Sequence, residues 1–404
     1  MSQSIILCRS TAAMLSIATV VSLYTLWARH SCGKGQRLRQ KLPNSLNSWR
    51  MEEAEDELWD SLAVLLSREL GVTSWPRLRS QHRPPGDSYP SSGGFSYVTP
   101  VRKDGPGSVK WLGGYECTNT LSRIARTREG HDVIVRVIVV GREGHEHLKI
   151  LRKFATGEHS LYSNNHALPM FSEFQLDDVV FGFFPKVGAS MLDIYYFWAR
   201  NSVGDIVYML MQMLEALAFI HDLKIAHRDA FRDNFVVEWQ PDTLATMKIA
   251  PSHPRVYLID FEVAVMFPPE CPADECISLG LPLGGSFTDS EKYTRPCPPE
   301  VENGKPYSPF KLDVWQVAMS FTEVRSTVPE VDEVLTSMIE RDPVHRPSAK
   351  EALDKLGAIV HSMTPESLLI EPKLRPQSWA PGWGSSMWVD PLCEHSPTYH
   401  SGLL

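Results

Sequence analysis

The 404-residue sequence is poor in cysteine, with seven, and none of them forms a Cys-x-x-Cys pair. Cys8, Cys32, Cys117, Cys271, Cys276, Cys297 and Cys393 are odd in number and scattered. That argues against a disulfide framework and against a zinc site, and reads as reduced thiols in a cytosol-like compartment. No internal repeat is visible. Acidic residues are missing from positions 1–51, which carry Arg9, Arg29, Lys34, Arg37, Arg39, Lys41 and Arg50. The rest therefore holds 33 of the 40 basic residues against all 48 acids, a net −15. A body that acidic is a poor partner for nucleic-acid backbone, where Lys and Arg must replace condensed counterions. With 43% hydrophobic and 22% charged residues, the composition is that of a folded globular protein.

Ser10 to Ala28 holds no charge. As a helix these residues would span about 28 Å, close to the hydrocarbon thickness of a bilayer. The basic excess follows the segment, so the positive-inside rule predicts a single-pass anchor with the C-terminal body facing the cytosol. Six Ser and Thr residues weaken the hydrophobicity. Two alternatives stay open. A mitochondrial presequence fits the arginines and the lack of acids; a secretory signal fits less well, because Leu26-Trp27-Ala28 puts a bulky residue at −3.

Residues 51–94 read as an amphipathic helix followed by a linker. Leu58, Leu62, Leu65, Leu66 and Leu70 recur at helical spacing over 52–70, and Arg83–Gly94 is turn-rich. From about 95 to 187 short β-like runs dominate: 122–127, 133–140, 168–176 and 179–187, interrupted by a helical stretch over 143–155. From 188 to about 360 the chain turns helical. Residues 206–220 are nearly all apolar and 310–321 form a second apolar helix, with short strands at 235–238 and 256–259 between them. The expectation is an α+β, bilobal fold with a ligand cleft between the lobes. The remainder, 361–404, carries Trp379, Trp383 and Trp388 among Pro, Gly and Ser, and reads as a tail docked on the body, with a partner site as the alternative.

The sharpest chemical feature is His227-Arg228-Asp229-Ala230-Phe231-Arg232-Asp233-Asn234. An Asp and an Asn five apart on a tight loop divide phosphoryl-transfer work: Asp229 orients the attacking hydroxyl and Asn234 offers an amide oxygen to Mg²⁺. Downstream, the apolar run Val256–Ile259 ends in Asp260, placed to hold the Mg²⁺ that bridges nucleotide phosphates.

These residues resemble the eukaryotic protein kinases. His227–Asn234 resembles their HRDxxxxN loop, and Asp260-Phe261-Glu262 stands where they have DFG. Pro298-Pro299-Glu300 resembles their APE motif, Asp313-Val314-Trp315 the start of their large buried helix, and Arg346-Pro347 their RP pair. The resemblance covers roughly residues 95–360. It implies a bilobal kinase fold, ATP and Mg²⁺ as cofactors, a protein substrate or partner, and a structural ion pair between Glu300 and Arg346. The runs 226–235, 258–264 and 294–301 are also similar to a divergent group of kinase-like proteins in basidiomycete fungi.

The departures lie mostly on the nucleotide side. Arg136, in Val133-Ile134-Val135-Arg136, occupies the place of the phosphate-holding lysine, and Arg is bulkier and planar. No GxGxxG precedes it; Gly113-Gly114 is the nearest candidate. Glu143 and Glu146 compete for the helical glutamate that the family pairs with that lysine, while simple register lands on His147. Glu262 replaces a hinge glycine, and Phe231 replaces a loop lysine. The segment 263–297 carries Ser278, Ser286, Thr288, Ser290, Tyr293 and Thr294, with Arg228 the expected partner of an added phosphate. The expectation is a membrane-tethered protein kinase. A pseudokinase that binds nucleotide or a partner without transfer is the alternative, and a small-molecule kinase of choline or aminoglycoside type a weaker one.

Overall fold

The computed structural model describes residues 38–78 (save 52 and 54), 81–82, 120–191 (save 188), 203–238, 254–364 (save 327), 367 and 373–374. The apolar run 10–28, the linker 83–94, Gly113, Gly114 and the three tail tryptophans lie outside the described residues.

The smaller lobe is built on a five-stranded antiparallel sheet. Its strands are β1 (Thr73–Ser74), β2 (Ser122–Arg126), β3 (Asp132–Val140), β4 (Ser172–Leu176) and β5 (Val179–Pro185), in the order β1-β2-β3-β5-β4. β3 reads DVIVRVIVV; such β-branched residues suit a pleated surface covered on both faces. Its register puts Arg136 opposite Ser122 on one side and Gly182 on the other.

Two helices cover one face of this sheet, α1 (Leu46–Arg50) and α2 (Glu55–Leu70). Leu58, Leu62 and Leu66 recur at helical spacing on α2 and are buried together with Trp49, Val135, Val137 and Phe181. The rings of Trp49, Trp59 and Phe181 meet edge to face at 6.0–6.4 Å. Burying each such side chain contributes roughly 1.5–3 kcal/mol. The sheet therefore begins at residue 73 and its cover at residue 42, not at 95 as the composition suggested. The physical reason is that β3 and β5 present a fully apolar outer face, and the leucine stripe of α2 is what shields it from water.

The opposite face receives α3 (His145–Phe154) and merges with the core of the larger lobe. That lobe is organised around α4 (Val203–Asp222), of which thirteen residues are buried. α4 is long and apolar enough to cross a membrane by length and composition, but 72% of its most apolar window is enclosed by the fold. It is the central helix of a core. Three further helices pack about it: α6 (Pro309–Met319), α7 (Pro329–Met338) and α8 (Ala349–His361), with the short α5 (Pro299–Glu302) ahead of them. α5, α6 and α7 each start with proline in the first turn, where its missing N–H costs nothing. α8 starts with a capping box between Ser348 and Glu351.

Just before α4, and between it and α5, the backbone forms short ribbons. β6 (Ala189–Ser190), β8 (Phe235–Glu238) and β9 (Arg255–Leu258) make one sheet, and β7 (Ile225–Ala226) pairs with β10 (Val265–Met266). These ribbons hold the loop 227–234 and Asp260, two residues beyond the end of β9, side by side, facing β3 of the smaller lobe. Among the described residues the expected helices and strands are present, their ends shifted by up to four residues.

Candidate active site

The loop 227–234 is pinned from below by Asp313 on α6. Its carboxylate accepts the backbone N–H of His227 (2.8 Å) and of Arg228 (2.6 Å), and the ring of His221 lies 2.9 Å away. Asp313 is fully buried, so this is the structural use of the Asp-Val-Trp motif. Gln316, one turn on, accepts from Ala230 N–H and donates to Arg228 O, both at 2.8 Å. Arg228 sits at φ +68°, a left-handed conformation that costs a non-glycine residue about 1–3 kcal/mol and persists where the surroundings enforce it.

Asp229 and Asn234 come together. The Asn234 amide nitrogen donates to both the backbone carbonyl and Oδ2 of Asp229 at 2.7 Å. Asp229 Oδ1 is buried and accepts no hydrogen bond among the described residues. Burial pushes the Asp229 carboxyl up to about 7, against the opposing charge of Arg295.

Arg295 escaped the sequence reading. Its Nε lies 3.3 Å from Asp229 Oδ1 and its Nη2 lies 2.6 Å from Asp233. Its guanidinium stacks over Phe231 at 5.1 Å, a cation–π distance. Arg295 thus places a cation beside Asp229, where Phe231 offers none. The signal was the arginine in Thr294-Arg295-Pro296, but nothing in its spacing says that it folds back on the loop.

Asp260 also adopts a left-handed backbone, φ +65°. Arg136 donates to its Oδ1 at 2.6 Å and stands 3.9 Å from Glu262. Burial works against ionisation of Asp260, but Arg136, with the His147 and His227 rings beside it, holds the carboxyl below the usual range. Glu262 is pushed the other way, by burial and by the charge of Asp260. Its carboxylate accepts Ser286 N–H at 3.0 Å and Ser286 Oγ–H at 2.6 Å, and Arg50 lies 3.5 Å from its other oxygen. Gly284 and Gly285 make the close approach possible: at Gly285, φ +56°, a Cβ would stand 2.8 Å from Glu262.

Neither candidate glutamate, Glu143 in the turn before α3 or Glu146 in its first turn, pairs with Arg136. Glu143 accepts the N–H of Leu46 at 2.7 Å, and Glu146 pairs with Lys149 on the surface. His147 is the buried residue of that turn, depressed to about 3 by burial and by the nearby Arg136 charge. A neutral ring therefore stands where a carboxylate was sought, and Arg136 takes Asp260 as its partner instead. Arg228 donates to the carbonyls of Val263 (3.3 Å) and Leu281 (3.1 Å), so its head is engaged by backbone of the 263–297 segment.

Further down, Arg346 forms a fork with Glu300: Nη1–Oε1 2.5 Å and Nη2–Oε2 3.1 Å. Both side chains are buried. Arg346 Nε donates as well to Glu340 O at 2.6 Å.

The donor set suits magnesium in kind: Asp260 and the Asn234 amide supply the hard oxygens such an ion takes. Arg136 is the competing cation on Asp260.

No family model matches the chain. It is similar to curated protein kinases over part of its length. Human serine/threonine-protein kinase PINK1, mitochondrial, is 28% identical over 184 residues, 37% of this chain and 29% of that protein. The Schizosaccharomyces pombe serine/threonine-protein kinase ppk8 is 30% identical over 113 residues, 28% and 18% of the two chains. The meiosis-specific serine/threonine-protein kinase mek1 of the same yeast is 23% identical over 176 residues, 41% and 35%. The chain thus spans well under half the length of these relatives. A crystal structure of the Rad53 kinase domain and SCD2 in complex with AMPPNP overlaps 60% of this chain and 88% of that one, at 16% identity and a TM-score of 0.39. The fold is α+β, bilobal and protein kinase-like.

Proposed function

We propose that this chain is a divergent protein kinase that transfers the γ-phosphoryl group of ATP to a hydroxyl of a protein. The observation that carries the reading is the buried Asp229 Oδ1, which accepts no hydrogen bond among the described residues and has Arg295 Nε 3.3 Å away, on a carboxylate whose Oδ2 is held by Asn234. A protein hydroxyl entering the cleft would donate to that oxygen and be oriented for attack. A carboxyl titrating at about 7 is ionised enough near neutral pH to accept the hydrogen bond and basic enough to take the proton. Arg295 adds positive charge where the transferred group carries negative charge. Asp260 and Asn234 would hold Mg²⁺, and Arg136 lies beside them as a phosphate-binding cation. The metal would neutralise charge on the transferring phosphoryl group. Similarity to proteins named serine/threonine kinases supports a protein hydroxyl as acceptor.

One observation favours a second reading, the pseudokinase. The Arg136–Asp260 contact at 2.6 Å engages the metal carboxylate and the phosphate-binding cation with each other. A protein in which that pair never opens would use the cleft to bind a partner and transfer nothing.

The uncharged run 10–28 supports membrane tethering with the body in the cytosol, and the mitochondrial designation of one relative keeps a mitochondrial address in play. The kinship with basidiomycete kinase-like proteins rests on the runs at 226–235, 258–264 and 294–301.

The deciding experiment is ATP- and Mg²⁺-dependent phosphotransfer by the full chain, as autophosphorylation and on a peptide library, beside Asp229→Asn. Activity that disappears in the variant supports the kinase. No signal in either protein with nucleotide still bound favours the second reading, and equal signal in both would remove Asp229 from the chemistry.

A further inference from the structure

The seven cysteines are scattered in sequence, yet two of them meet in the segment that follows Asp260. Cys271 and Cys276 place their sulfurs 3.1 Å apart, about 1 Å more than the roughly 2.05 Å of a disulfide bond. Both are free thiols. The turn that brings them together is built by backbone bonds: Cys271 N–H donates to Pro268 O at 3.0 Å, and the N–H groups of Glu275 and Cys276 donate to Pro272 O at 3.1 and 3.2 Å. The two prolines set φ for the turn, and Ala273-Asp274-Glu275 projects into solvent.

The two sulfurs differ in access. Cys271 is half-buried, open to a small oxidant, whereas Cys276 is fully buried. The pair lies between two fixed points. Upstream, β10 pairs with β7, which leads directly into the His227–Asn234 loop, and Phe267 N–H donates to Lys224 O at 2.8 Å. Downstream, Ser278 and Tyr307 exchange both backbone bonds at 2.9 Å, and the Tyr307 hydroxyl donates to Gly280 O at 3.0 Å.

We propose that Cys271 and Cys276 are an oxidisable dithiol, a covalent modification site at which a peroxide closes a disulfide within the segment between Asp260 and Glu300. The chemistry runs in two balanced steps. The Cys271 thiolate attacks the O–O bond of hydrogen peroxide, becomes a sulfenic acid and releases water after proton uptake. The Cys276 sulfur then attacks the Cys271 sulfur, the S–S bond forms, and the hydroxyl leaves as a second water with the Cys276 proton. Two thiols are oxidised and one peroxide is reduced. Burial and the adjacent Cys271 sulfur push the Cys276 thiol up to about 11, so it is not the sulfur that meets the peroxide first; its place 3.1 Å from Cys271 makes it the resolving one. Cys297, the third cysteine of the segment, contacts Arg295 O instead, with its sulfur 3.9 Å from that oxygen. The bond would fasten the tip of the segment between its two anchored ends, a reversible covalent restraint suited to a reducing compartment.

The test uses the full chain, fully reduced and then exposed to stoichiometric hydrogen peroxide, with alkylation of remaining thiols and peptide mapping by mass spectrometry. The expected result is one peptide cross-link between Cys271 and Cys276, two hydrogens lighter than the reduced pair, lost on adding dithiothreitol. It persists in Cys297→Ser and is absent in Cys271→Ser and in Cys276→Ser. In Cys276→Ser the sulfenic acid accumulates on Cys271 and is trapped by dimedone. Sulfinic acid on Cys271 of the unmutated chain without the cross-link would overturn the proposal. So would a cross-link from either residue to another cysteine. None of these readouts depends on phosphotransfer, so the proposal stands or falls apart from the kinase reading.

Discussion

Arg346→Ala tests how this fold holds the Glu300 end of the site segment. In the folded protein Arg346 is 1% exposed and Glu300 9%. Removing the guanidinium deletes the two Arg346–Glu300 bonds and the bonds to the carbonyls of Glu340 and Arg341. Glu300 is then a buried carboxylate with no counter-charge from Arg346. Breaking a buried pair from one side costs about 3–5 kcal/mol. For a folded body of this size each kcal/mol moves the melting temperature by roughly 2–4 °C, so a fall of about 6–20 °C follows. The assay is thermal unfolding of the full chain at pH 7, alongside Glu300→Gln and the double variant Glu300→Gln/Arg346→Ala. The double variant removes the uncompensated charge, so it is expected to lose less than the sum of the two single losses, with a coupling of about 0.5–3 kcal/mol. A shift below about 2 °C for Arg346→Ala, or strict additivity in the cycle, would refute the reasoning.

Three further outcomes are expected. Asp260→Ala abolishes Mg²⁺-dependent nucleotide binding in calorimetry; binding that keeps its magnesium dependence would remove Asp260 from the metal site. Because the folded Asp229 carboxyl sits at about 7, above its value in the unfolded chain, the fold binds that proton more tightly. Its contribution to stability is therefore largest below pH 4 and lost as pH rises to about 7. Activity runs the opposite way, rising through the same pH range as the base ionises; Arg295→Met removes a charge that favours ionisation and moves this acid limb to higher pH, while Arg295→Lys restores part of it. An unmoved limb would mean that Arg295 does not act on Asp229. Trp49→Ala opens a cavity against Trp59 and Phe181 and costs about 3–5 kcal/mol in denaturant unfolding, which a change of under 1 kcal/mol would contradict.

What was legible in the sequence was what local spacing encodes. The leucine stripe of α2, the apolar run of α4 and the β-branched run of β3 state their element type by periodicity, and Ser348-x-x-Glu351 marks the start of α8. Asp229 and Asn234, five residues apart, meet because a tight loop leaves them no other neighbourhood. Glu300 and Arg346, though 46 residues apart, were paired by motif resemblance and lie in a two-pronged fork.

Only the tertiary structure decided which charges face one another across the cleft. Arg136 and Asp260 are 124 residues apart, and their contact exists because β3 of one lobe is laid over the end of β9 in the other. Arg295 reaches Asp229 across 66 residues because the segment before α5 folds back under the loop. His147, and not Glu146, faces the interior because the orientation of α3 against the sheet is fixed by packing of Leu148, Ile150 and Leu151, while Glu143, ahead of the helix, is held by the Leu46 N–H. Trp49 joins the smaller lobe because the sheet needs a cover. In each case the deciding term is burial summed over two surfaces, and a one-dimensional pattern records only one of them at a time.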